Sequence, residues 1–307
     1  MTAQDYFGPA DPALAAALAT PFSWPESGLE PLPWFPFTVA ASRGATKVAE
    51  RVAQRTERAY WYLRKRLGAA PRFRLLVLDQ EDWAQHASGK AYGVTHVTRD
   101  GHLAVGAEPA AAWHDVSRFL TQRLPASVSR ALVKVHGADA KHPAGPDLSG
   151  VSELLVAHEL AHLVAAQAGA WFPRRWLSET FANYALVAVL CETDPAGMHR
   201  IGTLVEAASL LEASTPSVGE FEAAEGTLVP ACSVLTHLRL TRVALAAYAE
   251  ARAEPLARWF ALACAQGTQS REPDADHELG RLLAGDVHPA LARLVEASDG
   301  IPLARAA

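Results

Sequence analysis

The sequence predicts an α+β protein in which a small mixed sheet with helices near the N-terminus precedes a mainly helical C-terminal region. Three short apolar runs typical of strands all fall before residue 107. Beyond residue 108, Ala- and Leu-rich segments repeat with helical periodicity, separated by polar loops at 137–150 and 214–226. The chain has 307 residues and is 50% hydrophobic, which is enough to bury a large core.

An extended arm and a small α/β subdomain are predicted for the first 107 residues. Residues 1–40 are rich in proline and tryptophan, which disfavours regular helix, and they predict the extended arm. Residues 41–107 form the predicted α/β subdomain. It contains a helix over 42–67, a strand over 73–78, a helix capped by Asp79, and a hairpin of strands 92–97 and 102–106 around Asp100-Gly101.

Charge and cysteine content narrow the classes of partner and the compartment. The formal net charge of -5 gives no electrostatic reason to expect a nucleic acid or an anionic membrane as partner. The three cysteines are widely spaced in apolar surroundings, which favours buried thiols over disulfides. No segment is typical of a membrane span or a signal peptide. We therefore expect a cytoplasmic protein whose oligomeric state the sequence does not indicate.

The segment HELAH at 158–162 carries the chemistry. It lies in an apolar stretch that predicts a buried helix ending at Gly169. His158 and His162 are four residues apart, about one helical turn, so both imidazoles can reach one metal ion. Glu159 lies beside them and is the candidate general base for a water bound to that ion.

A third ligand is expected, because a catalytic zinc usually has three protein ligands and one water. The best candidate is Glu179 in WLSETFANY, on a second helix predicted to begin near Trp176 or Ser178. HELAH followed by WLSETFANY resembles the HExxH and WLNEGFA-x-Y motifs of gluzincin metallopeptidases related to aminopeptidase N, whose glutamate completes a zinc site. Sixteen residues separate His162 from Glu179, a shorter connection than is usual in that family.

The resemblance, which covers residues 150–190, implies a fold and an activity. It implies a zincin-like fold, a Zn²⁺ cofactor and a peptide or protein substrate. It also implies a zinc-binding helical subdomain over 108–190, followed by a helical C-terminal subdomain over 191–307. In zincins an edge strand near the active-site helix binds the substrate backbone, and HLAVG at 102–106 is the candidate for that strand.

The resemblance also implies roles for residues outside the two motifs. Glu108, which follows HLAVG, is the candidate for the substrate-binding glutamate. The tyrosine that donates to the oxyanion in that family has no counterpart at the matching position, and His237 or Tyr248 could replace it. Asn183, one turn after Glu179, could orient a ligating histidine or be an ordinary polar position of an amphipathic helix.

Three hypotheses for function follow. The leading one is zinc-dependent peptide-bond hydrolysis with Glu159 as general base. The alternative is a zinc-binding scaffold or weakly active pseudo-peptidase, which the missing oxyanion tyrosine favours. A hydrolase that acts on substrates other than peptides is the third. The intact Glu159 supports catalysis, because a purely structural zinc has no use for a general base.

Overall fold

A five-stranded mixed sheet and a mostly helical region form an α+β fold. The structure, a computed structural model, describes residues 28–87, 90–172, 174–211, 215–224, 230–266, 285 and 287–289. The strands are β1 (Glu30–Leu32), β2 (Thr38–Ala41), β3 (Arg74–Leu78), β4 (His96–Val97) and β5 (Leu103–Gly106). The predicted α+β class is therefore confirmed.

The strand order is β1-β2-β3-β5-β4, with parallel pairing in the centre and antiparallel pairing at both edges. The strand HLAVG, expected at the edge, is β5, and it is paired on both sides by β3 and β4. That prediction was wrong. The edge position is held by β4, because the hairpin turns outward from the centre of the sheet.

Of the predicted extended arm over residues 1–40, residues 1–27 lie outside the described part of the chain. Residues 30–41 form β1 and β2, which pair antiparallel with Pro31 opposite Ala40. Pro31 is tolerated because β1 is an edge strand, where a missing N–H costs no ladder hydrogen bond. The prolines did prevent a helix, but the segment they extend belongs to the sheet.

Local signals placed the other sheet elements correctly. Asp79 Oδ1 accepts a hydrogen bond of 2.9 Å from the backbone N–H of Asp82, as expected of a helix cap. The hairpin of β4 and β5 turns at Gly101, whose φ of 74° lies in the left-handed region that glycine favours. The strand predicted over 92–97 is shorter, since only His96–Val97 pairs.

The helices follow the sheet elements in chain order. They are α1 (Thr46–Leu67), α2 (Gln80–His86), α3 (Ala111–Arg123), α4 (Ala126–His136), α5 (Ser149–Leu154), α6 (Val156–Gln167), α7 (Arg175–Thr193), α8 (Pro195–Ser209), α9 (Val218–Ala223), α10 (Pro230–Ala251) and α11 (Glu254–Gln266). None of the helices in the described residues is long and apolar enough to cross a membrane. Each of the three cysteines is a partly buried free thiol.

The two faces of the sheet bury different elements. Val39, Leu75, Val77 and Leu103 share one core with α1 and α6, and this core extends through the helical region. Residues of the opposite face pack on α2, where Trp83 is buried. Because successive residues of a strand point to opposite faces, the apolar runs of β2, β3 and β5 supply both cores.

The HELAH segment lies on α6, which is wedged between the sheet and α7. The sequence predicted one continuous helix through the apolar stretch before it. In the structure this stretch is broken at Leu155 into α5 and α6. Gly169 follows the end of α6 with a φ of 71°. The N–H groups of Gly169 and Ala170 donate back to the carbonyls of Ala166 and Ala165, a Schellman arrangement that ends the helix as predicted.

Within the predicted loop over 214–226, the described residues include a short helix, α9. It begins with a capping box in which Ser217 and Glu220 each bond to the other's backbone N–H. The spacing S-x-x-E is a known helix-start signal, so the sequence carried information on this helix. The loop prediction was wrong at this point, and α9 lies beside the candidate site.

Candidate metal centre

Side chains from α6 and α7 form the centre. On α6, His158 and His162 are one turn apart and project toward α7. Glu179 lies on α7, whose residues from Trp176 to Leu190 are all buried, so α7 is held on every side by apolar packing. The two helices are therefore rigid supports for the groups they present.

Three potential ligand atoms converge. The Nε2 atoms of His158 and His162 are 3.1 Å apart. Glu179 Oε2 lies 3.1 Å from the first and 3.3 Å from the second. In the described part of the chain, these three residues are a group of His, Cys and carboxylate side chains able to share one ion. The structure thus brings together the three ligands predicted from the sequence.

The Nδ1 atoms of His158 and His162 have polar partners on α7. His158 Nδ1 lies 3.1 Å from Asn183 Oδ1, which can accept a hydrogen bond from an N–H at that position. His162 Nδ1 lies 3.3 Å from the hydroxyl of Ser178. When Nδ1 carries the proton, the Nε2 lone pair is free to bind a metal. The sequence suggested that Asn183 either orients a ligating histidine or is an ordinary polar position. The contact of Ser178 was not predicted, although Ser178 directly precedes Glu179 in the sequence.

The spacing of the ligand atoms suits a small divalent cation. Zinc binds His nitrogen and carboxylate oxygen at about 2.0–2.2 Å with tetrahedral angles. Such a geometry places ligand atoms roughly 3.3–3.5 Å apart, close to the separations of 3.1–3.3 Å found here. Three lone pairs pointing at one place repel each other unless a cation or protons lie between them. The donor set therefore fits Zn²⁺.

The buried charges influence each other strongly. Burial opposes the charged form of His158, but its hydrogen bond to Glu179 and the charges of Glu159 and Glu179 raise its pKa. Burial alone would raise the pKa of Glu179, yet the facing imidazoles hold it well below its usual range. Burial raises the pKa of Glu159, against the charges of the two histidines. A carboxylate with a raised pKa beside the ligands is suited to accepting a proton.

His237 on α10 also lies at the centre. Its Nδ1 is 3.7 Å from Glu179 Oε2, and its ring centroid is 5.5 Å from that of His158. Burial lowers the pKa of His237 to about 4, so the imidazole is neutral at pH 7 and keeps one N–H to donate. The side chain is 30% exposed, so His237 lies on the side of the centre that solvent reaches.

The N-terminus of α7 is fixed by the short helix α9. The two carboxylate oxygens of Glu222 accept hydrogen bonds from the backbone N–H groups of Arg175 and Trp176, at 3.0 and 3.1 Å. These are orphan donors of the first helical turn. The ring of Phe221 packs edge-on against His237, with centroids 5.7 Å apart. Sequence reasoning missed both residues, because no local pattern shows that α9 returns to α7.

Two other candidate residues lie elsewhere. The hydroxyl of Tyr248 donates to Glu192 at 3.0 Å, near the far end of α7. Glu192 is 13 residues beyond Glu179, which is roughly 20 Å along a helix. Glu108 is exposed, and its backbone N–H donates to the hydroxyl of Tyr92. In the described part of the chain, no hydrogen bond or ion pair joins Glu108 to the metal-centre residues.

Comparisons of this chain with protein-family models, with curated proteins and with solved structures found no match. The resemblance to gluzincins therefore rests on the motif residues themselves. The geometry of the centre defines a group of side chains able to bind a metal, and the assignment of an activity rests on their chemistry.

Proposed function

We propose that this protein is a zinc-dependent peptide hydrolase of the gluzincin type, with His158, His162 and Glu179 as ligands and Glu159 as general base. The observation that carries the proposal is the convergence of three ligand atoms whose supporting groups are already in place. Histidines that merely fill a core have no need of one carboxylate oxygen shared between two Nε2 atoms. Buried polar groups arranged in this way are typical of metal sites.

When bound, the ion polarises the scissile carbonyl and lowers the pKa of the attacking water. Glu159 takes the proton from that water and later returns it to the leaving amine. Burial raises the pKa of Glu159, which makes its carboxylate a stronger base and favours the first transfer. Asn183 Oδ1, which can only accept, favours the His158 tautomer that leaves Nε2 free, and the Ser178 hydroxyl pairs with Nδ1 of His162.

His237 is the donor to the developing oxyanion in this proposal. It is neutral at pH 7, partly exposed and adjacent to Glu179, so its N–H can approach a carbonyl oxygen held at the open side. It takes the part that a tyrosine has in the related family. Such donors contribute about 100- to 1000-fold in rate.

The placement of the sheet is consistent with a zincin-like architecture. The edge strand β4 runs antiparallel to β5 and packs against α6, the helix that carries the candidate base. β4 is not an open edge, because His96 and Val97 are only 4% and 7% exposed. The peptide or protein substrate is therefore proposed from the chemistry of the centre.

The test compares zinc content and peptide cleavage in the full-length protein and in Glu159→Gln. We expect about one zinc per chain in both proteins, because Glu159 is not a ligand, and loss of at least 1000-fold in cleavage in the variant, because the proton acceptor is gone. Zinc is measured by elemental analysis, and cleavage by mass spectrometry of a mixed peptide library with and without chelator.

Glu206→Gln is the matched control, because Glu206 is exposed on α8 and lies outside the centre. It should cleave at the parental rate. Cleavage by Glu159→Gln at that same rate would refute the proposal. A parent that holds zinc but cleaves no peptide would instead favour the zinc scaffold or a different substrate.

A further inference from the structure

The rim of the metal centre carries an arginine that the hydrolysis scheme does not use. Arg175, Glu179 and Asn183 follow each other at one-turn spacing on α7. Asn183 is 1% exposed, whereas the Arg175 side chain is 16% exposed. The row therefore runs from the interior to the surface, with Arg175 at its open end beside His237.

The guanidinium of Arg175 is held in place but has few hydrogen bonds. Its Cζ atom lies 4.1 Å from the ring centroid of Phe221, a cation–π contact that fixes the plane. Nη1 donates to the Phe221 carbonyl at 3.4 Å, and Nε lies 4.0 Å from Glu179 Oε1, beyond hydrogen-bond distance. An arginine has five N–H donors in a fixed fork, and among the described residues the Phe221 carbonyl is the one hydrogen-bond acceptor of this guanidinium, so the fork keeps capacity to bind a ligand.

Charge balance indicates which ligand this fork takes. A divalent ion in the centre would be balanced by the carboxylates of Glu159 and Glu179. The guanidinium of Arg175 adds a positive charge and has no carboxylate at hydrogen-bond distance, because Glu179 Oε1 lies 4.0 Å from Nε and Glu222 accepts from the backbone N–H of Arg175. A substrate with a negative group is attracted to such a site, and arginine pairs with carboxylates in a two-pronged geometry.

We propose that Arg175 is the residue that recognises a carboxylate of the substrate and so determines specificity beside the metal. This inference rests on the proposed function, because it takes the ligand of Arg175 to be the substrate. It concerns binding and not the hydrolytic step. The carboxylate belongs either to the C-terminus of a peptide or to an acidic side chain, and both offer the same chemistry to the guanidinium.

The experiment measures peptide binding without turnover, by calorimetry on zinc-loaded Glu159→Gln protein. Three peptides of one sequence are compared: a free C-terminal carboxylate, a C-terminal amide, and an amide with one aspartate in place of an asparagine. We expect a carboxylate-bearing peptide to bind about 10- to 100-fold more tightly than the neutral amide, as for a hydrogen bond to a charged group. Which of the two charged peptides gains affinity identifies the source of the carboxylate.

Adding Arg175→Gln should abolish that preference, whereas adding Arg258→Gln, a change at an exposed arginine on α11, should preserve it. Arg175→Lys keeps the charge without the fork and should keep a weaker preference, which also guards against a misfolded Gln variant. A preference of undiminished size in Arg175→Gln, or no preference in the protein with Arg175, would overturn the inference.

The outcome is separable from that of the proposed function. An Arg175-dependent preference in a protein that hydrolyses no peptide would leave the inference standing and the hydrolase proposal refuted. Hydrolysis that depends on Glu159 but shows no carboxylate preference would support the hydrolase proposal and refute the role of Arg175.

Discussion

Two of the regions that bury histidines in the described part of this protein, the α2 face of the sheet and the metal centre, differ in the charges around the imidazole. On the α2 face of the sheet, His96 is 4% exposed, with its ring against Trp83 and its Nδ1 bonded to the Val94 carbonyl. Burial lowers the pKa of His96 to about 4. In the metal centre, His158 is equally buried, at 4%, yet its pKa is raised.

The cause of the difference is the surrounding charge and not the depth of burial. Two carboxylates, Glu159 and Glu179, act on His158 and favour a positive charge in that place. His96 has no such carboxylate among the causes of its shift, so desolvation dominates. A place that stabilises positive charge among imidazoles is suited to a cation, whereas the buried ring of His96 packs against Trp83.

Removing one histidine from each region and measuring the stabilisation by zinc tests this difference most directly. In the parent, zinc at 100 times its Kd should raise the free energy of unfolding by about 2.7 kcal/mol. His158→Ala should lose this gain entirely, because a ligand is gone, whereas His96→Ala should keep it even if its own stability is lower. The measurement is urea denaturation with chelator and with buffered zinc. Equal gains in both variants would contradict the assignment of the centre.

A second test uses acid stability. A folded-state pKa of about 4 for His96, against 6.5 for the unfolded chain, means that the unfolded state takes up a proton first as the pH falls. The contribution of His96 to stability is therefore present above pH 6.5 and is lost between pH 6.5 and 4. The shift corresponds to on the order of 3 kcal/mol.

His96→Gln should accordingly show a smaller decrease in unfolding free energy between pH 6.5 and 4 than the parent. Denaturation is measured in chelator, so that proton competition for zinc ligands does not contribute. His199→Gln, which changes an exposed histidine on α8, is the control and should follow the parent. An unchanged pH dependence in His96→Gln would show that His96 is not neutral in the fold.

Removing the groups that orient the two imidazoles of the centre should have a weaker effect than removing a ligand. Asn183→Ala and Ser178→Ala leave all three ligands intact but remove the groups that hold Nδ1 of His158 and His162. Loss of such partners typically weakens metal binding about 10- to 100-fold. Competition with a chromogenic chelator measures this loss. Parental affinity in both variants would mean that packing alone orients the imidazoles.

Much of the local structure followed from patterns within a few residues of each other. The turn at Gly101, the cap at Asp79 and the end of α6 at Gly169 depend on backbone geometry that their own residues dictate. The positions of His158 and His162 on α6 are also local, because helical spacing determines them. The pairing partners of a strand are not determined locally, which is why the sequence prediction placed β5 and not β4 at the edge of the sheet.

The α+β class, the candidate ligands and Glu159 could be predicted from the sequence, since helical periodicity and residue chemistry are local. The folded chain was needed to show that Ser178 and His237 face the centre, that Tyr248 lies far from it, and that Arg175 stands at its rim. These placements depend on how α7, α9 and α10 pack, with contacts such as that between Glu179 and His237, which are 58 positions apart. Long-range packing is set by the whole core, and no short motif records it.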